Sequence, residues 1–202
     1  MANQTGAFGL RPVRYFNGSP WNGKGRPYYI PATDSTALFL GDPVVIVGDS
    51  NDNEIMGHVP GSLSEVTIAT AGDGNVITGV VIGVMSTTAE SLIYRAASTE
   101  RVLLVCDDPD VIFQIRDDAV TALTADTVGL NAVLIAGTGS TVTGRSAWAL
   151  DSGGDVPAAD ASNQLFILNL ANIPGNEIAT SAVWEVLINQ HTYKVRGGLG
   201  VA

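Results

Sequence analysis

Beyond residue 34 the apolar residues come in short runs divided by clusters of Gly, Asp, Asn and Pro. The runs fall at 37–40, 44–47, 66–70, 76–85, 101–106, 111–116, 132–135, 147–150, 165–170 and 183–189. Between them stand turn formers such as Gly41-Asp42-Pro43, Asp49-Ser50-Asn51-Asp52-Asn53 and Ala71-Gly72-Asp73-Gly74-Asn75. Runs this short, at this spacing, predict an all-β sandwich or barrel. Period-two alternation supports strands. Over 183–188 it sets Val183, Glu185 and Leu187 on one face and Trp184, Val186 and Ile188 on the other. Over 111–115, Val111, Phe113 and Ile115 share a face. Asp107-Asp108-Pro109-Asp110 reads as a hairpin-like connection between 101–106 and 111–116. Residues 87–97 carry a capping-box pattern (Thr87, Glu90), but Leu92-Ile93-Tyr94 favours a strand there. Residues 117–126 are rich in Ala and carry acidic caps, which predicts one or two helical turns. Residues 151–162 read as a polar loop.

The first 33 residues break this pattern. Gly6, Gly9, Pro12, Gly18, Pro20, Gly23, Gly25, Pro27 and Pro31 interrupt every possible regular element, which predicts an irregular arm ahead of one β-rich body at 34–202. Charge divides at the same place. The arm holds Arg11, Arg14, Lys24 and Arg26 and no acid, a charge of +4. The rest holds all twenty acids and only Arg95, Arg101, Arg116, Arg145, Lys194 and Arg196, a charge of −14. Phe8, Tyr15, Phe16, Trp21, Tyr28 and Tyr29 also lie in the arm. A basic, aromatic leader on an acidic body suits docking on another surface. Extended, such an arm reaches on the order of 100 Å. The alternative is that it wraps its own barrel and closes an edge.

Composition narrows the classes. The chain is 46% hydrophobic and only 15% charged, against roughly 25% charged in an average soluble domain. Two well-filled inner faces would use that apolar surplus, and so would surface buried in an assembly. A sequence pI near 4.4 argues against nucleic-acid binding by the body, since phosphate backbones need a positive stripe. The longest apolar run, at 76–85, is broken by Thr78, Gly79 and Gly83 and is far below the roughly 20 residues of a membrane span. No apolar leader of the secretory type is visible. One cysteine, Cys106, excludes an internal disulfide and reads as a small buried hydrophobe.

Catalytic motifs fail on inspection. Gly18-Ser19-Pro20-Trp21-Asn22-Gly23-Lys24 has phosphate-loop spacing, but Gly25 replaces the hydroxyl residue that holds magnesium. Asp49 to Glu54 begins like a calcium loop, but Glu54 occupies the glycine position and Pro60 the final acidic one. Asp107, Asp108 and Asp110 are the densest acidic cluster and read as a solvated turn. His58 and His191 lack metal-type spacing, and Cys106 has no base beside it in sequence. No cofactor and no enzymatic activity are expected.

Ala7-Phe8-Gly9-Leu10-Arg11-Pro12-Val13-Arg14 resembles the start of small virion proteins encoded beside the major capsid protein in tailed phages, especially short-tailed ones. Tyr28-Tyr29-Ile30-Pro31, Phe39-Leu40-Gly41-Asp42-Pro43-Val44, Ile77-Thr78-Gly79-Val80-Val81-Ile82-Gly83, Asp107-Asp108-Pro109, Val128-Gly129-Leu130-Asn131-Ala132 and Asn176-Glu177 follow in the order seen in that group. The resemblance implies a capsid cement or decoration protein. Its barrel or jelly-roll-like body would sit on the outer capsid surface and clamp major capsid subunits, as a dimer or trimer. Synthesis would be in the host cytoplasm, with no nucleic-acid or membrane partner. Arg11, Arg14, Trp21, Arg26, Tyr28 and Tyr29 are the expected shell contacts. Two rivals remain: a head-fibre or carbohydrate-binding module, which needs Trp148 and Trp184 exposed on one face, and a sugar hydrolase, which needs two close carboxylates that nothing marks.

Overall fold

The computed structural model describes residues 3–195. Its strands are β1 (Arg11–Tyr15), β2 (Arg26–Ile30), β3 (Pro43–Ser50), β4 (Ser64–Ile68), β5 (Gly79–Val84), β6 (Arg101–Cys106) and β7 (Val111–Arg116). The second half adds β8 (Asn131–Ala132), β9 (Leu134–Ile135), β10 (Ala149–Leu150), β11 (Leu165–Leu170), β12 (Val183–Ile188), β13 (Gln190–His191) and β14 (Lys194–Val195). Among the described residues there is no α-helix. The expected all-β class is what forms.

Two units share the strands. One is a closed barrel in the order β2-β4-β3-β5-β6, antiparallel except where β2 meets β4. The other is an antiparallel five-stranded sheet in the order β1-β7-β12-β11-β8. Tyr28, Ile30, Val44, Val66, Val81, Leu103 and Val105 fill the barrel. A second, larger core lies between barrel and sheet. Ile77, Val80 and Cys106 come to it from the barrel side, and Phe113, Ile115, Trp184, Val186 and Ile188 from the sheet. The faces expected for 111–115 and 183–188 are therefore the observed ones.

This layout explains the apolar surplus. Val80 faces the sheet and Val81 the barrel interior, and both are buried. A strand with a core on each side needs an unbroken apolar run. At roughly 25 cal/mol per Å² of apolar area removed from water, two-sided strands contribute about twice as much per residue as one-sided ones.

Four expectations change. Residues 1–33 do not form a separate irregular arm. β1 pairs with β7 at the sheet edge, and β2 is a barrel stave paired with β6 from Arg26↔Val105 to Ile30↔Arg101. The glycines and prolines mostly punctuate these strands. Pro12 sits on an edge strand beside a bulge, and Pro27 precedes the one position where β4 pairs with β2, so neither missing N–H is required. The stretch after β1 folds back, with Tyr15 N donating to Ser19 O at 2.8 Å.

Second, 101–106 and 111–116 are not a hairpin. β6 belongs to the barrel and β7 to the sheet, so 107–110 is the passage between the units. Third, 87–97 is irregular, with a single bridge from Arg95 to Leu38. Its Arg95 is fully buried and turned toward backbone carbonyls, which sets the path of the segment more than Leu92 and Ile93, both exposed, do. Fourth, 117–126 holds no α-helical turn; a 3₁₀ turn spans Ala125–Thr127. Asp117 and Asp118 instead bond backbone and side-chain groups of neighbouring loops, in competition with helix.

Candidate interaction surface

The two units are welded where Phe8-Gly9-Leu10 crosses Leu40-Gly41-Asp42. Leu10 N donates to Gly41 O at 2.9 Å, and Gly9 N to Trp148 O at 3.1 Å. Gly41 N donates in turn to Val81 O at 2.8 Å. Both glycines have positive φ, and a Cβ on Gly41 would stand 2.5 Å from Phe8 O. Only glycine allows backbones this close in this conformation. Three of the motifs that carry the resemblance thus meet at one point in space.

Beside this crossing runs a groove of about 250 Å³. Leu10, Pro12, Leu40, Val81 and Ile82 give it an apolar lining, and Phe8, Trp21, Arg11 and Arg145 complete its walls. Arg11 is exposed and lies over the Phe8 ring at 5.2 Å, with one terminal N–H donated to Gln114 Oε1. Arg116 lies over the same ring at 5.5 Å and donates to Gly6 O at 3.0 Å. Burial lowers the Arg116 pKa; Asp117 opposes that shift and the nearby Arg11 charge adds to it. Neither Arg11, Arg116 nor Arg145 has a carboxylate within ion-pair distance among the described residues. A protein of net charge −10 thus keeps a local set of uncompensated arginines.

The expected contact residues divide. Arg11 and Trp21 reach the groove. Arg14 lies outside it, bound to Glu185 at 2.6 Å, while Asn169 bonds the same carboxylate oxygen. Arg26 is exposed and sits 3.4 Å from Asp107. Tyr28 and Tyr29 are buried, which corrects their assignment as surface contacts. The Tyr28 hydroxyl meets Asp107 and Tyr193, each at 2.8 Å, and the Tyr29 hydroxyl donates to Glu100 at 2.7 Å. Burial is the largest cause raising both phenol pKa values, and the bonds to carboxylates add to it. Their rings are barrel and satellite core. Composition alone ranked them with the docking aromatics because burial is not visible in an isolated Tyr-Tyr pair.

Sequence inspection passed over Phe8, Arg116 and Arg145 as contacts. Phe8 stood in a quoted motif, and its neighbours Gly9 and Arg11 were the available signal. Nothing local marks Arg145, which the fold brings in from a distant loop.

Comparison with family models, with characterised proteins and with solved structures found no match. Trp148 and Trp184 are buried in the main core, so they offer no exposed face for stacking on a sugar. The acidic cluster at 107–110 is spent on structure. Asp107 binds Tyr28 and Arg26, Asp108 accepts from Asp110 N, and Asp110 pairs with Lys194 at 2.9 Å. The described residues contain no group of three or more His, Cys, Asp or Glu placed to hold a metal. Cys106 is buried, which pushes its thiol up to about 12.

Proposed function

We propose that this chain is a structural virion protein that decorates the outer surface of a phage capsid and stabilises contacts between major capsid subunits. The observation that carries the proposal is the arginine and aromatic surface around Phe8 and Trp21, set on an otherwise acidic body. Arg and Trp dominate binding energy at protein interfaces, and positive charge steers the protein toward an acidic shell. The resemblance of the N-terminal motif supports the same setting. In that setting the two-core β body acts as a rigid clamp. Contacts from many copies, each weak, would favour the closed lattice by mass action.

Deleting residues 1–33 would remove a strand from each unit, so loss of capsid binding by such a truncation would not separate a contact from a folding role. The test is the copy number of the chain relative to the major capsid protein in purified particles of the phage that encodes it, with addition of the purified chain to particles that lack it. A fixed ratio near the number of lattice sites, with raised capsid melting temperature on addition, is expected. Absence from particles, or a handful of copies with no change in capsid melting, would refute the proposal.

A further inference from the structure

The groove at the junction has a chemistry that narrows what it receives. Its accessible floor is apolar, through Pro12, Leu40 and Ile82, above the buried Leu10 and Val81, and its rim carries Arg11 and Arg145. Among the described residues the Arg145 guanidinium has no ion-pair partner, and Arg11 spends one N–H on the neutral Gln114. A guanidinium offers five N–H donors in a planar fork that matches a carboxylate. Phe8 holds the Arg11 fork in place by its ring face, so little side-chain freedom is lost when an anion arrives. Arg116, over the same ring, adds a like charge that Asp117 offsets in part. The groove therefore presents oriented, unneutralised donors over an apolar floor.

We infer that this groove receives a carboxylate side chain from an extended segment of a protein partner, with an adjacent aliphatic side chain on the floor. The volume of about 250 Å³ suits one or two side chains and is below the roughly 300–1,000 Å³ of sites for drug-sized ligands. Acidic peptide is favoured over nucleic acid by charge. A polyanion would meet the whole −10 protein, whereas one carboxylate interacts chiefly within a Debye length of about 8–10 Å. The identity of the partner as a capsid subunit rests on the decoration proposal; the chemistry of the groove does not.

The experiment titrates the full, isotope-labelled chain with a synthetic, otherwise uncharged twelve-residue peptide that carries one Glu-Leu pair. The same titration is repeated with its Gln/Leu counterpart and with a twelve-nucleotide oligothymidine. Amide shifts at residues 8–11, 40–41 and 81–82 report the groove. The Glu peptide is expected to move these signals and to bind at least about tenfold more tightly than the Gln peptide, a 1.4 kcal/mol difference. Arg11→Gln with Arg145→Gln is expected to remove that difference, while Lys24→Gln, outside the groove, keeps it. Equal binding of the two peptides, or a double variant that still discriminates, overturns the inference. Tighter binding of the oligonucleotide at the same signals overturns it in favour of a phosphate ligand. Particles lacking the protein separate the two proposals. Failure of the wild type on particles, with the Glu peptide bound, refutes decoration alone. Equal particle binding by wild type and double variant refutes the groove's role and leaves decoration standing.

Discussion

Arg95 is a cation with no exposed surface, and removing it should cost more than any surface change. Its Nε donates to Thr99 O at 2.7 Å, and its Nη2 to Pro31 O at 2.7 Å and Asp34 O at 2.8 Å. Nη1 donates to Thr36 O and stands 3.4 Å from Asp34 Oδ1. One side chain thus closes the 31–36 turn onto the irregular 95–99 segment. Arg95→Met keeps much of the volume and removes every donor. Four carbonyls then lose a partner, at about 1–3 kcal/mol for each that water cannot reach. Loop relaxation rescues part of this, so the expected loss is about 4 kcal/mol, in the range for breaking a buried ion pair. For a chain of this size each kcal/mol moves Tm by roughly 2–4 °C, so Tm should fall by about 8–16 °C. Urea and thermal unfolding, followed by tryptophan fluorescence, measure it. Arg95→Lys should fall between, since an ammonium reaches some of the carbonyls without the fork. A drop under about 3 °C for Arg95→Met would show that water replaces the guanidinium, and that the side chain does not hold the turn.

Three further outcomes are expected. Burial raises the Asp42 carboxyl from 3.8 to about 6. The folded state therefore holds this proton more tightly than the unfolded one, and a penalty of about 2–3 kcal/mol, present above pH 6, is relieved as pH falls toward 4; urea titrations from pH 4 to 8 should show Asp42→Asn more stable than wild type at pH 7.5, with the difference vanishing near pH 4. Gly9→Ala drives a methyl into Gly41 O and Ser146 at φ +72° and should cost about 3 kcal/mol or more, whereas Gly18→Ala, with nothing within 4 Å, should cost about 1 kcal/mol; comparative thermal melts separate the two. Cys106, buried with its thiol raised to about 12, should not react with an aromatic disulfide reagent at pH 8 until denaturant is added, and fast native reaction would contradict the core packing.

Most apolar runs bounded by turn residues became strands, the exception being 37–40, which holds only isolated bridges at Leu38 and Leu40, and the alternation at 183–188 gave the core face of β12 correctly. The division into barrel and sheet was not legible at 101–116. Both flanking runs are equally apolar, and Asp107-Asp108-Pro109-Asp110 serves a hairpin or a passage alike. What decides is distant: Asp107 is held by Tyr28 and Arg26 of β2. Likewise, Gly and Pro density at 1–33 registered the breaks between strands and hid the short strands themselves. At the candidate surface, Arg11 and Trp21 were visible as basic and aromatic residues in an acid-free stretch. Arg145 carried no signal, since a lone arginine in a Gly-Arg-Ser context gains meaning only when its loop bridges Leu40 beside the groove. Tyr28 and Tyr29 misled because aromatic composition is the same for an interface and a core.

The placement of β1 and β2 has a consequence during synthesis. Both leave the ribosome well before Arg101–Arg116, which supplies their antiparallel partners β7 and β6. At roughly 5–20 residues per second, the opening segment waits several seconds for these two partners, with only the single β4 position opposite Tyr29 available to β2 earlier. Most of its side chains in that interval are small, polar or cationic, with four of the nine prolines and no long apolar run. Such a segment resists premature pairing with neighbouring nascent chains. The glycine, proline and arginine content that made the first 33 residues look like a tail is also what lets them stay unpaired until the barrel can close.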